Sequence, residues 1–357
     1  MDRSISVSIT YILCQAGLIL FMYPTNIIGS TTESQWMPIL LGVLVHFLMV
    51  WVLLMGLGAF PNQDMIAIFR QHGRGVAILL LTPVFAYLFM GGVIAVRSYA
   101  EIVTIIFLSE TPSWAIMTLL LTLATYLASK GIESILRTGV IMFLLFIPLL
   151  CFILVASFQN ADWRYIHPFF SKDFSFLKSM SYFNSYFAIG GVFVLFGFLQ
   201  PIVTFTKKSI FLSSLCIVPV FFVSVYVPIL TFGQDTSSQF IFPFVIAVDA
   251  VNLTWFMFDR LTMFFLLSIV IFILIFLSLV LWMLVILLKR SVCQRVSSTY
   301  VLLGLSVCVL TLCFFIPDWN AIDTLFTWNT PLRFFVLIIV PVSVFLLGIR
   351  AKRKESV

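Results

Sequence analysis

Residues 180–201 read MSYFNSYFAIGGVFVLFGFLQP, and residues 11–28 read YILCQAGLILFMYPTNII. Both stretches are apolar enough to enter a bilayer, and both carry residues that an uninterrupted helix disfavours. The first holds Gly190-Gly191, Gly197 and Pro201, with Asn184 near its start; the second holds Gln15-Ala16-Gly17 and Pro24-Thr25-Asn26. Glycine loosens the backbone and proline removes a donor. In hydrocarbon, backbone groups released this way are tolerated only where they line a cavity or are buried in protein. Two interrupted spans, each opening one half of a polytopic chain, form the pattern of inverted repeats with a ligand site between them. The candidate ligand-binding residues at these breaks are Gly17, Leu18, Ile19, Tyr23 and Pro24 in one span and Gly190, Gly191 and Phe193 in the other. Freed N–H groups there attract an anionic ligand group. The same residues also suit two kinked helices packed through small side chains.

Apolar runs continue almost end to end around these stretches. Hydrophobic residues are 62% and charged residues 10% of 357 positions, against about 25% charged in a soluble domain. So few charges cannot cover a water-soluble surface, which excludes a separate globular or enzymatic module. The first apolar run extends from Ser4 to Glu33, longer than the roughly 7–15-residue core of a signal peptide, and reads as the first span. With about 20 residues per crossing, charged and turn residues divide the chain into ten spans: 5–28, 37–60, 76–108, 112–129, 139–158, 182–205, 210–232, 262–288, 298–316 and 333–350. The stretch 239–258, broken by Pro243, Asp249 and Asn252, reads as helices lying on or dipping into the outer surface. The expected fold is all-α, a single membrane domain over residues 1–357, with a first five-helix repeat at 5–158, a second at 182–350, and helices one and six broken.

Ten spans put both termini on one side. That side carries fourteen of the 20 lysines and arginines; the other carries Arg164, Lys172, Lys178, Arg260 and Arg333, and Arg97 falls inside span three. The excess of Lys and Arg marks the cytoplasmic side. The net charge of +6 is therefore a signature of topology and gives no reason to expect a nucleic-acid partner.

Span three carries Arg97 and Glu101, four residues apart and so able to pair on one helix face. The apolar stretch around them is about 50 Å long as a helix, more than a bilayer core of about 30 Å. Two readings follow: a buried functional pair, or a pair at the outer interface where Arg snorkels. Lys130-Gly131-Ile132-Glu133 with Arg137 reads as a polar turn that anchors spans four and five. Asp259-Arg260 before span eight reads as a local or interhelical ion pair. No cofactor or metal is expected: the six cysteines have no CxxC spacing and the three histidines are far apart. No P-loop, HExxH or GxSxG motif is present, so no enzymatic activity is expected.

The order of several short motifs resembles the spore germination permease family, the B subunits of endospore germinant receptors, within the amino acid–polyamine–organocation transporter superfamily. The markers are Arg97-Ser98-Tyr99-Ala100-Glu101, Thr111-Pro112, Lys130-Gly131-Ile132-Glu133 with Arg137, Asn160-Ala161-Asp162-Trp163 leading to His167-Pro168, and Asp259-Arg260-Leu261. The resemblance implies two inverted five-helix repeats and a small germinant, often an amino acid, bound near the middles of spans one and six. It also implies assembly with a larger A subunit and a lipoprotein C subunit in the spore inner membrane. Two departures stand out. Ile19 replaces the second glycine of a Gly-x-Gly before the span-one proline, and no Glu follows Gly191 in span six. Both imply a bulkier, less polar pocket, suited to an apolar amino acid or a neutral germinant.

Overall fold

The computed structural model describes residues 3–170, 174–190, 192–251, 261–291 and 294–355. Gly191 and Asp259-Arg260 lie outside the described residues. Among the described residues, eight helices are long and apolar enough to cross a membrane, and two shorter apolar helices, Ser113–Ser129 and Ser298–Phe314, complete ten. The others are Arg3–Ile28, Trp36–Leu57, Arg74–Ile106, Ile132–Ala156, the interrupted Met180–Leu199, Lys207–Phe232, Leu261–Ser291 and Trp319–Arg353. Their surface is consistent with lipid: Leu79, Leu144, Leu145 and Val155 are each more than 60% exposed, which hydrocarbon accommodates and water does not.

The first, sixth and eighth spans form the centre. Their apolar windows are 78%, 94% and 72% buried, whereas that of the fifth is 28% buried. The first span packs against the sixth, seventh, eighth and fifth. Short polar elements hold the ends. Asp64 caps the helix Met65–Gln71 by accepting from the Ala67 N–H at 2.9 Å, and its carboxylate also pairs with Arg290 at the end of the eighth span. Thr206 caps the seventh span and Asp318 the tenth. Gly131, at φ 83°, turns the chain into the fifth span, which starts at Ile132 and so takes Glu133 and Arg137 into its first turns rather than into a loop.

The connection between the two halves is pinned at Asp162. Its N–H donates to the Leu230 carbonyl at 2.8 Å, and its carboxylate accepts from the Arg164 N–H and guanidinium. Those bonds to Arg164 hold the carboxyl down to about 2. Residues 234–237 and 243–249 form two short helices. They cover the far end of the first span, where Thr25 donates to the Ile241 carbonyl and Gln234 donates to those of Ile28 and Thr31. Within the described part of 239–258 there is one short helix, Pro243–Asp249, too short to cross a bilayer, with most of its residues buried against the bundle.

Three expectations are corrected. The first span is not broken: its helix runs from Arg3 to Ile28 with Pro24 inside. Pro24 lies near the C-terminal end, so its missing donor interrupts little. Gly17 instead serves close packing, since a Cβ there would come within 3.1 Å of the Phe272 Cβ of the eighth span. The tenth span begins at Trp319 rather than at residue 333, because Asp318 caps it and its polar first turns cover the end of the bundle. Arg333 is therefore not at the outer surface but enclosed in the helix bundle, 1% exposed. A π-helical turn, Phe335–Ile339, follows it between Pro331 and Pro341, as expected where proline displaces the regular ladder.

Candidate functional site

The sixth span is the interrupted one. Its first half, Met180–Gly190, ends at the glycine pair, and after a turn through Val192–Val194 the helix resumes only as Leu195–Leu199. The backbone passes through bonds of three-residue reach, such as Leu195 N–H to Val192 carbonyl at 3.0 Å. An interruption leaves carbonyls of the preceding turn without their regular donors. In apolar surroundings each must find another donor. The Ile189 carbonyl finds two. Gln15 Nε2 of the first span donates to it at 3.3 Å, and His46 Nδ1 of the second span at 2.8 Å. With Nδ1 donating, Nε2 of His46 is left to accept from the Tyr11 hydroxyl, which fixes the tautomer. Gln15, His46 and Tyr11 are each at most 3% exposed.

The described residues singled out from sequence at the breaks are buried and line no open pocket among those found. Leu18, Ile19, Tyr23 and Phe193 are buried to 2% or less. Tyr99, in the Arg-x-x-Ala-Glu stretch, donates its hydroxyl to the Gly17 carbonyl at 2.6 Å. Pro24 is buried near the end of the first span. Tyr23 packs edge-on against Phe221 at 4.8 Å, and its hydroxyl has no partner. Gly190 faces Leu337 of the tenth span, with room for ordinary contact at 3.5 Å. A small cavity of about 40 Å³ lies on the far side, between Phe21, Thr25, Phe242, Trp319, Asp323 and Phe326; this is room for about one water. Larger spaces lie away from the break, such as one of about 580 Å³ beside Arg70, Lys289 and Arg290. The site is closed.

Arg97 and Glu101 combine both readings of their position. Arg97 is 4% exposed and donates to the carbonyls of Ile316 and Pro317, each at 3.0 Å, while pairing with Glu101. The Glu101 side chain is 21% exposed. The pair therefore ties the third span to the turn between the ninth and tenth, at the rim of the bundle.

Sequence reading missed His46 and Arg333. A lone histidine in an apolar run has no visible partner until the fold brings one. Arg333 carried a usable signal: Asp318 is a helix start, and Asn329, Thr330 and Arg333 recur on one helical face after it. Thr330 donates to Asn184 Oδ1 at 2.9 Å, and Arg333 Nη1 donates to the carbonyls of Phe183 and Asn184 at 3.1 and 2.9 Å. The tenth span is thereby bonded to the first half of the interrupted sixth.

Ten spans with an interrupted sixth, sealed by side chains of its neighbours, define a polytopic membrane protein of the LeuT/APC-like transporter fold. The crystal structure of MhsT in complex with L-phenylalanine shares that fold, with a TM-score of 0.60 over 96% of this chain and 98% of that one, at 12% identity. A family model described as spore germination protein matches residues 4–322, and the chain belongs to this spore germination permease family. No curated protein sequence matches it significantly.

Proposed function

We propose that this chain is the membrane subunit of a spore germinant receptor. In this reading it binds a small nutrient, an amino acid or similar solute, beside the interruption of the sixth span and passes the signal to partner subunits. The observation that carries the proposal is the Ile189 carbonyl, freed by the break and capped by Gln15 and His46 inside an apolar core. Such a cap is exchangeable. A ligand that bonds the freed groups better than these side chains do stabilises an opened state, and that differential affinity is what a signalling shift requires. Phe193 in the interrupted stretch and Ile19, one helical turn from Gln15, are both fully buried and favour an apolar ligand body, and MhsT was solved with L-phenylalanine. The proposed partners are the receptor A subunit and the lipoprotein C subunit, in the spore inner membrane with both termini cytoplasmic. Removing Arg333 from the outer side strengthens the lysine and arginine asymmetry behind that orientation. No catalytic role and no cofactor form part of the proposal.

Spores carrying this receptor alone, screened with amino acids, sugars and nucleosides, test the proposal. A germinant should emerge, and Gln15→Leu with His46→Leu should shift its effective concentration at normal protein levels. An identical dose response in the double variant would remove the break as the site. The shared fold with MhsT supports a second reading, a secondary permease. Uptake of labelled solute into proteoliposomes by this chain alone would favour it. A chain that neither binds nor transports any solute would be a membrane scaffold for the receptor.

A further inference from the structure

We infer that Arg333 is the anchor for a negatively charged group of the ligand, so that the germinant is a small organic anion or a zwitterion presenting its carboxylate to the tenth span. This inference rests on the receptor reading above. Arg333 is 1% exposed, and among the described residues no carboxylate pairs with it. Its partners are neutral: the carbonyls of Phe183, Asn184 and Phe326 and the side-chain oxygen of Asn329. Arg333 Nε and Asn329 Nδ2, both buried, have no acceptor among the described residues. Burying a cation without a counter-charge is strongly unfavourable, and carbonyl dipoles offset the lost hydration only in part. The cluster thus holds two unused donors, Arg333 Nε and Asn329 Nδ2, and a surplus positive charge, the complement of a carboxylate.

The route to it is also visible. The guanidinium lies 5.2 Å from each of the rings of Phe187 and Phe326, which pack against each other at 4.7 Å on one side of it. Phe326 also lines the small cavity next to Trp319 and Asp323. Phe326 thus borders both that cavity and the cation. In this proposal, displacement of its ring admits the ligand from the cavity side. Asp323 lies ten residues earlier on the same helix, about 15 Å away along the axis, and does not neutralise Arg333. The chemistry that fits is a monovalent anion, which an organic carboxylate or chloride could provide.

Spores carrying this receptor alone are tested with the L-amino acids and their carboxamides, with inosine as a neutral solute, in sodium chloride and in sodium sulfate. The same panel is applied to Arg333→Gln, Arg333→Lys and Phe326→Ala, with receptor abundance measured by immunoblot. We expect an amino acid to act where its carboxamide does not. Arg333→Gln should raise the effective concentration roughly 100-fold, Arg333→Lys should raise it less, and Phe326→Ala should lower it. Equal potency of acid and amide, or an unchanged response in Arg333→Gln, overturns the anchor and leaves the receptor reading standing. So does a response to inosine alone. Chloride dependence lost in Arg333→Gln, without discrimination between acid and amide, assigns the residue to an inorganic ion and overturns the ligand anchor. No response to any solute, with the receptor present, defeats the receptor reading and the anchor together. If Arg333→Gln fails to accumulate, the acid-to-amide comparison in the unaltered receptor and Arg333→Lys decide.

Discussion

Adding one methyl group at Gly56 should separate two spans that now touch through their main chains. A Cβ at Gly56 of the second span would lie 2.7 Å from the Phe345 N and 2.8 Å from the Phe345 Cα of the tenth span. Ordinary contact begins near 3.4 Å, so the helices must part by about 0.7 Å at the crossing. The obstacle is backbone, which no rotamer change relieves. Gly348 faces the same crossing, with Ala59 Cβ 3.0 Å from where its own Cβ would sit, so the strain is not relieved by sliding along the helix. Overpacking of this kind costs about 1–3 kcal/mol. Membrane helices gain little from hydrophobic association and depend on close packing, which favours the upper part of that range. Gly56→Ala should therefore melt several degrees below the unaltered protein in detergent and accumulate less in membranes. Gly304→Ala is the matched control, since its Cβ would meet nothing within 4 Å; it should melt at the unaltered temperature or slightly above, because alanine favours helix by about 1 kcal/mol. Equal melting of the two variants, or a worse result for Gly304→Ala, would refute the close-crossing argument.

Asp64→Ala removes a helix cap and the partner of Arg290 together and should cost roughly 2 kcal/mol, whereas Asp64→Asn keeps an acceptor for the Ala67 N–H and should cost less; thermal melts of the two variants check the order. Tyr99→Phe removes one hydroxyl bond to Gly17 and should change stability by only about 0.6 kcal/mol, so a larger shift in germinant dose response at unchanged melting would place Tyr99 in signalling rather than in support. Glu101→Gln should lower the abundance of the protein by loosening the third span from the turn between the ninth and tenth, as quantified by immunoblot. The carboxyl of Asp162 is held below its usual value of 3.8, to about 2. Its clamp on the connector is therefore fully present above pH about 4 and is lost as pH falls through 2. Hydrogen exchange at the Arg164 amide, measured relative to an Asp162→Asn variant, should show no difference in that acid limit and a clear one at neutral pH.

The glycine pair at 190–191 coincides with the break, but a glycine pair alone does not make one, since Gly91-Gly92 lies inside the continuous helix Arg74–Ile106. Gly17 and Pro24 gave the same signal and meant something different. One packs against Phe272 and the other sits near the end of its helix. Composition at a position states that the helix is weak there, and only its neighbours state whether it gives way. Arg333 was misplaced for a related reason. A hydropathy scan ends a span at a charge, and this charge is buried among carbonyls and rings that come from the sixth span.

The chain's own order of residues determines that it is a membrane protein with ten crossings. Oily segment length against bilayer thickness is a local quantity, readable one segment at a time, and the family motifs run in the same linear order. Only the folded arrangement decides which span is interrupted, what closes the interruption, and where an uncompensated positive charge sits. Gln15 and Ile189 are 174 positions apart and His46 and Ile189 143 apart, yet their bonds exist only at about 3 Å. Contacts of that reach depend on how ten helices are placed against one another, which no pattern along a single helix encodes.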